Sequence, residues 1–359
     1  MKYIILFFSL FSSIIFYFYF SKYIKIEKPM YLFDQVDADF PSVNLFKPNF
    51  KGKCGKIFKY KSNNKRDLVI FAYDFFNKKN NIWDHLLFME YGIKNVLESF
   101  KYSIPFAHII CFVSKKSKET KVFSILKEFN VEIIEINDSS AHIVNRRFLE
   151  TYIYLNKNKE KYDRVLFADM NDIYLFGDIF ATIKKDDFYI NKLNYYHNVP
   201  NKECVNFMNS SSWKISYIKN LKKEKSLLIY KEFEKNVECI LCAGLFIGGI
   251  EKSLNFFKIF SQALLDYAFN KTTIQMNNFG YDQLMLNFLY YTKKFEKLKI
   301  KVIGCEQIFC TRPKNLLFNK DTTRFYFETD NCSPILIHKN YPNSWISRKH
   351  KKLKNFNSY

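Results

Sequence analysis

From Asp67 to Ile136, apolar runs of strand length alternate with segments whose apolar residues recur at helical spacing. Leu68-Val69-Ile70-Phe71-Ala72 predicts a first strand, Trp83 to Ser99 a helix, and Ala107 to Val113 a second strand. Lys118 to Phe129 predicts another helix and Val131 to Ile136 a third strand. Strands alternating with helices at this spacing predict an α/β domain built on a mostly parallel sheet with right-handed crossovers. Asn145 to Leu155 adds a helix, and the short run Val165-Leu166-Phe167-Ala168 a buried fourth strand that ends at Asp169. Ligands of such sheets bind beyond the carboxyl ends of the strands, where Asp169 and the end of the first strand at Tyr73 are expected to meet.

Other segments break the rhythm. Tyr3 to Phe20 is an uncharged run of 18 residues, which as a helix spans roughly 27 Å, near the thickness of a bilayer's hydrocarbon core. Residues 1–21 therefore read as a signal-anchor or a signal peptide. The run ends in aromatic residues rather than the small ones that precede a cleavage site, which favours an uncleaved anchor. Residues 22–65 carry Pro29, Pro41 and Pro48 without sustained periodicity and read as a stem or linker. The domain is expected over 66–346, with a polar insertion at 191–235 that is long for a structureless connection, and a basic tail over 347–359.

Composition narrows the class. The 359 residues are 48% hydrophobic and 19% aromatic, ample for a packed core. The 56 Lys and Arg against 35 Asp and Glu leave a formal charge of +21, suited to nucleic acid, an anionic membrane or a phosphate-bearing substrate. The lysines are spread along the whole chain and no zinc-finger or RNA-recognition motif accompanies them, so nucleic acid is not expected as a partner. Eight cysteines are too few for a disulfide scaffold at this length but suffice for some bridges in an oxidising compartment. Cys239 and Cys242 lie in an apolar run without a second close pair, which argues against a zinc site. Asn-x-Ser/Thr triplets at Asn137, Asn209, Asn270 and Asn331 would permit glycosylation in such a compartment.

The candidate chemistry is concentrated in Asp169-Met170-Asn171-Asp172. Residues three apart on a strand face opposite ways, so the two carboxylates converge only if Met170 and Asn171 turn the backbone. A convergent pair would suit Mg²⁺ or Mn²⁺, which need few protein ligands when substrate phosphates supply the rest. A polar surface loop is the alternative.

The surrounding motifs carry a resemblance. The Arg146-Arg147-Phe148 helix is followed by Tyr162-Asp163-Arg164-Val165, then by Asp169 to Asp172 and Gly177-Asp178-Ile179-Phe180. Later come Cys242-Ala243-Gly244-Leu245 through Gly248, Gly280-Tyr281-Asp282-Gln283, and Ile335-Leu336-Ile337-His338 ahead of Tyr341. In order and distance, residues 67 to 345 resemble nucleotide-diphospho-sugar transferases of the GT-A type, with an Asp-x-Arg-Asp metal motif, distantly like the glycogenin and galactosyltransferase group. Asn171 departs from that pattern where arginine is expected, Ile179 where proline is, and Cys242 where asparagine is. The gap from His338 to Tyr341 is one residue longer than the pattern has.

The resemblance implies a Rossmann-like GT-A fold and a glycosyltransferase activity. It implies Mn²⁺ or Mg²⁺ held by Asp169, Asp172 and His338, and a UDP- or GDP-sugar donor contacted by Tyr73, Arg147, Asp169 and Gly244. Asp282 and Gln283 would stand beside the reacting sugar, and the acceptor would be a glycan, protein or lipid. The residues alone leave other roles open: His338 as a structural histidine, Asp282 as a helix cap, and Tyr73 as a core aromatic. Basic residues flank both ends of the apolar run, Lys2 on one side and Lys22, Lys25 and Lys28 on the other, which by itself favours a cytosolic domain. The resemblance implies instead a single-pass type II protein of the Golgi or endoplasmic reticulum membrane with a luminal domain, or else a secreted one. A non-catalytic binding or scaffolding subunit of the same fold is the rival reading, motivated by Asn171 and Cys242.

Overall fold

The computed structural model describes residues 47–61, 65–74, 86–137, 142–170, 172–192, 240–269, 281–311, 316–319, 324–327 and 329–338. The chain alternates as the pattern predicts: β1 (Asp67–Tyr73), α1 (Leu86–Ser103), β2 (His108–Ser114), α2 (Lys121–Glu128), β3 (Glu132–Ile136), α3 (Ile143–Asn158) and β4 (Arg164–Ala168). After β5 (Ile173–Leu175) come β6 (Phe188–Lys192), β7 (Leu241–Gly249), α4 (Ile250–Phe269), α5 (Tyr281–Tyr291) and β8 (Lys301–Ile303).

Among the described residues these strands, β5 excepted, form a seven-stranded sheet in the order β3-β2-β1-β4-β7-β6-β8. Its pairings are parallel except on either side of β7, which runs against both β4 and β6. The sheet is mixed α/β, mostly parallel and flanked by helices.

Burial on both faces explains why β1, β2 and β4 read as continuous apolar runs rather than as alternation, whereas the edge strand β3 keeps Glu132 and Glu135 exposed. In β1, Leu68 and Ile70 belong to one core, while Val69, Phe71 and Tyr73 belong to the other. The same period divides Val165 and Phe167 from Leu166 and Ala168 in β4. The first core is aromatic where α3 and α4 cross it. Phe148 stacks on Phe260 with ring centroids 4.1 Å apart and meets Phe167 at 5.1 Å, and Phe246 meets Phe256 at 4.9 Å. The second core holds Val96 and Phe100 of α1 with Val122 and Leu126 of α2.

A second, three-stranded sheet sits beyond the end of β4, with β5 antiparallel and β9 (Phe309–Thr311) parallel to the central β12 (Leu336–His338). β10 (Leu316–Asn319) pairs antiparallel with β11 (Arg324–Phe327).

One boundary differs from the pattern-based expectation. Residues 47–61, placed in the linker by their lack of periodicity, are fastened to the domain. Cys54 is bonded to Cys332, Asn49 N donates to Ser333 Oγ at 2.7 Å, and Lys59 N donates to Ala181 O at 2.9 Å. A short irregular segment of this kind carries no period because its partners are distant in sequence. A second disulfide joins Cys305 to Cys310, and among the described residues Cys111 and Cys242 are free thiols, both buried. Asn137 and Asn331 are exposed.

The apolar run Tyr3 to Phe20, the tail over 347–359, and all of the polar insertion except Asn191 and Lys192 lie outside the described residues. No helix among the described residues is long and apolar enough to cross a membrane.

Candidate metal centre

β4 delivers Asp169 as the first residue beyond its end, where Asp169 N donates to Gly244 O at 2.8 Å. The chain bends at Met170 and Asp172 precedes β5, whose first residue, Ile173, is paired with His338 at the end of β12. Strand pairing therefore brings together residues 166 positions apart in sequence. One donor atom each from Asp169, Asp172 and His338 lies within 4.8 Å of the others. His338 Nε2 is 3.3 Å from Asp169 Oδ2 and 3.5 Å from Asp172 Oδ1. His338 and Asp172 are buried and Asp169 is partly open.

Arg147, on α3, is buried beneath this group. Its Nη1 pairs with Asp169 Oδ1, its Nη2 with Asp282 Oδ2 at 3.1 Å and with Ala243 O at 3.2 Å, and its Nε donates to Val144 O at 3.2 Å. Burial works against its charge, but the Asp169 and Asp282 carboxylates more than offset this and hold its pKa above the ordinary arginine value. Asp282, in the first turn of α5, accepts from Gln283 N at 2.8 Å, while its own N donates to Asn145 Oδ1 at 3.0 Å. Burial pushes its carboxyl up to about 6, because the one guanidinium it faces is shared with Asp169 and the Asp169 charge opposes ionisation.

Gly244 gives Asp169 its room: a Cβ built there would run into the Asp169 carboxylate. Neither carboxylates nor imidazole is scarce in proteins, but this set fits a hard divalent cation on two counts. The two carboxylates supply the oxygen donors that Mn²⁺ and Mg²⁺ prefer, with a single imidazole beside them. Asp169, Asp172 and Asp282 also outnumber the single guanidinium of Arg147 among the described residues, leaving negative charge that a divalent ion offsets.

The expected site residues thus divide. Asp169, Asp172, His338, Arg147, Gly244 and Asp282 come together. Tyr73 ends β1, the strand beside β4, but its side chain is 5% exposed and packs in the second core. Gln283, expected beside the reacting sugar, has its Oε1 accepting from Ala243 N at 3.0 Å and its Nε2 donating to Leu241 O. Both ends of that amide hold β7 in place. Arg147, expected to contact the donor, has its guanidinium engaged by Asp169, Asp282 and the Ala243 and Val144 carbonyls. Sequence reasoning did not find Asn145, Asn191 or Thr311. Asn191 closes the apolar run of β6 and is followed by Lys192, so it reads as the start of the polar insertion rather than as part of a site. No model of a known family matches this chain, and no curated protein matches it.

Proposed function

We propose that this protein is a metal-dependent glycosyltransferase that moves a sugar from a nucleoside-diphosphate sugar to a glycan, protein or lipid acceptor. The observation that carries the reading is the convergence of Asp169, Asp172 and His338 just beyond the carboxyl end of β4, where open α/β sheets bind their ligands. The order of its motifs, similar to GT-A transferases, supports the same reading.

Asp169, Asp172 and His338 would hold Mn²⁺ or Mg²⁺, which when bound supplies Lewis-acid stabilisation to a departing diphosphate. Arg147 orients Asp169 through Nη1 and Asp282 through Nη2, so that the metal-side carboxylate and the second carboxylate keep a set spacing. Asp282, which is buried with its oxygens bonded to Arg147 Nη2 and Gln283 N, would be the carboxylate beside the transferred sugar. The disulfides Cys54–Cys332 and Cys305–Cys310 suit an oxidising lumen, which supports a Golgi, endoplasmic reticulum or secreted location.

The test is donor hydrolysis and transfer against a panel of UDP- and GDP-sugars with Mn²⁺ or with EDTA. Turnover of one donor, abolished by EDTA and by Asp169→Ala, establishes the class and names the sugar. Wild-type turnover in Asp169→Ala or Asp172→Ala overturns the metal assignment. Nucleotide binding without turnover favours the non-catalytic reading, to which Cys242 beside His338 and Asn171 in the acidic motif give weight.

A further inference from the structure

We propose that Thr311, itself held by Asn191, is a positioning residue for the candidate metal centre: it sets the tautomer and ring orientation of His338 so that Nε2 presents a lone pair between Asp169 and Asp172. The proposal rests on the metal reading above and supplies the hydrogen-bond polarity which that reading requires.

The direction of each bond follows from the groups themselves. Asn191, on β6, is wholly buried, and its Nδ2 donates to Ile303 O at 3.0 Å and to Gly304 O at 3.2 Å. Two carbonyls can only accept, so the amide orientation is determined and Oδ1 is the end that faces Thr311. Thr311 is also wholly buried, and its hydroxyl hydrogen goes to Asn191 Oδ1.

A hydroxyl has one hydrogen. Thr311 Oγ1 therefore meets His338 Nδ1, 3.3 Å away, as an acceptor. The hydrogen sits on Nδ1 and the neutral ring carries its lone pair on Nε2. That lone pair points toward Asp169 Oδ2 at 3.3 Å and Asp172 Oδ1 at 3.5 Å, an arrangement of three electron-rich atoms that suits a cation among them. The Cys242 thiol, 3.6 Å from Nδ1, is the weaker neighbour, since its S–H is a poor donor and its sulfur a poor acceptor.

The backbone makes the relay. Thr311 and His338 are paired across the parallel β9–β12 ladder, and Asn191 reaches them from the large sheet. A ligating histidine is commonly oriented by a partner on its other nitrogen, and loss of such a partner costs about 10- to 100-fold in metal affinity.

The test uses the full chain with the cations alone as probes. Mn²⁺ and Mg²⁺ binding is measured by calorimetry in wild type, Thr311→Val and Thr311→Ser, with circular dichroism as the folding control. The His338 ring is read from ¹⁵N spectra of the Mg²⁺-loaded protein. Expected are a protonated Nδ1 in wild type, a loss of about 10- to 100-fold in Mn²⁺ affinity in Thr311→Val, and recovery in Thr311→Ser. A folded Thr311→Val with wild-type affinity overturns the relay, as does a wild-type ring protonated on Nε2 alone. If Thr311→Val does not fold, the wild-type spectrum decides. A wild type that takes up neither cation overturns the metal reading instead, and the spectrum of the metal-free ring then decides the relay.

Discussion

Asp169 divides its carboxylate between two neighbours, Oδ1 toward Arg147 and Oδ2 toward His338. If Asp169 and Asp172 hold the metal as proposed, removing either carboxylate is expected to cost several kcal/mol of transition-state stabilisation, on the order of 1000-fold in kcat; Asp169→Ala also takes a carboxylate from buried Arg147 and should lower the thermal midpoint as well. Gly244→Ala tests the same point without changing charge. The added methyl must displace the Asp169 carboxylate, so Mn²⁺ affinity measured by calorimetry should fall although every ligand remains. Wild-type affinity in Gly244→Ala would show that Asp169 lies elsewhere when metal binds. Asp282, its carboxyl raised to about 6 by burial, predicts an acid limb near pH 6 in kcat/KM if its ionised form is the active one. In Asp282→Asn, residual turnover should lose that limb.

At the level of elements, β1 and β4 are tied at their amino ends by a buried pair. Arg164 Nε and Nη2 lie 2.7 and 2.8 Å from the two oxygens of Asp67, and Nη1 donates to Phe180 O. Truncating Asp67 to Ala leaves a buried guanidinium without its carboxylate, a loss of about 3–5 kcal/mol that urea unfolding would measure. β1, β2 and β4 were legible as sequence, because a parallel strand buried on both faces has to be apolar throughout. Arg164 gave no such sign. It sits between the charged approach and the apolar run, and only its pairing opposite Asp67 makes it interior. Gln283 is similar: next to Asp282 at a helix start it reads as a substrate contact, yet its amide is committed to the backbone of β7.

Across the whole molecule, the Cys54–Cys332 bridge spans 278 positions and clamps residues 47–61 to the segment just before β12. Replacing both cysteines with Ala is expected to cost about 2–5 kcal/mol, read as a lower thermal midpoint under non-reducing conditions. An unchanged midpoint would mean that the Asn49 and Lys59 hydrogen bonds suffice to hold that segment. The sequence by itself determined the α/β rhythm, the four strands leading to Asp169, and the acids and histidine worth watching, because periodicity and residue chemistry are local properties. Tertiary structure alone decided that β7 runs against its neighbours, that Asp172 and His338 meet through the β5–β12 pairing, and that Thr311 and Asn191 stand behind the ring. Those outcomes depend on register between strands far apart in the chain, and no local pattern encodes a register.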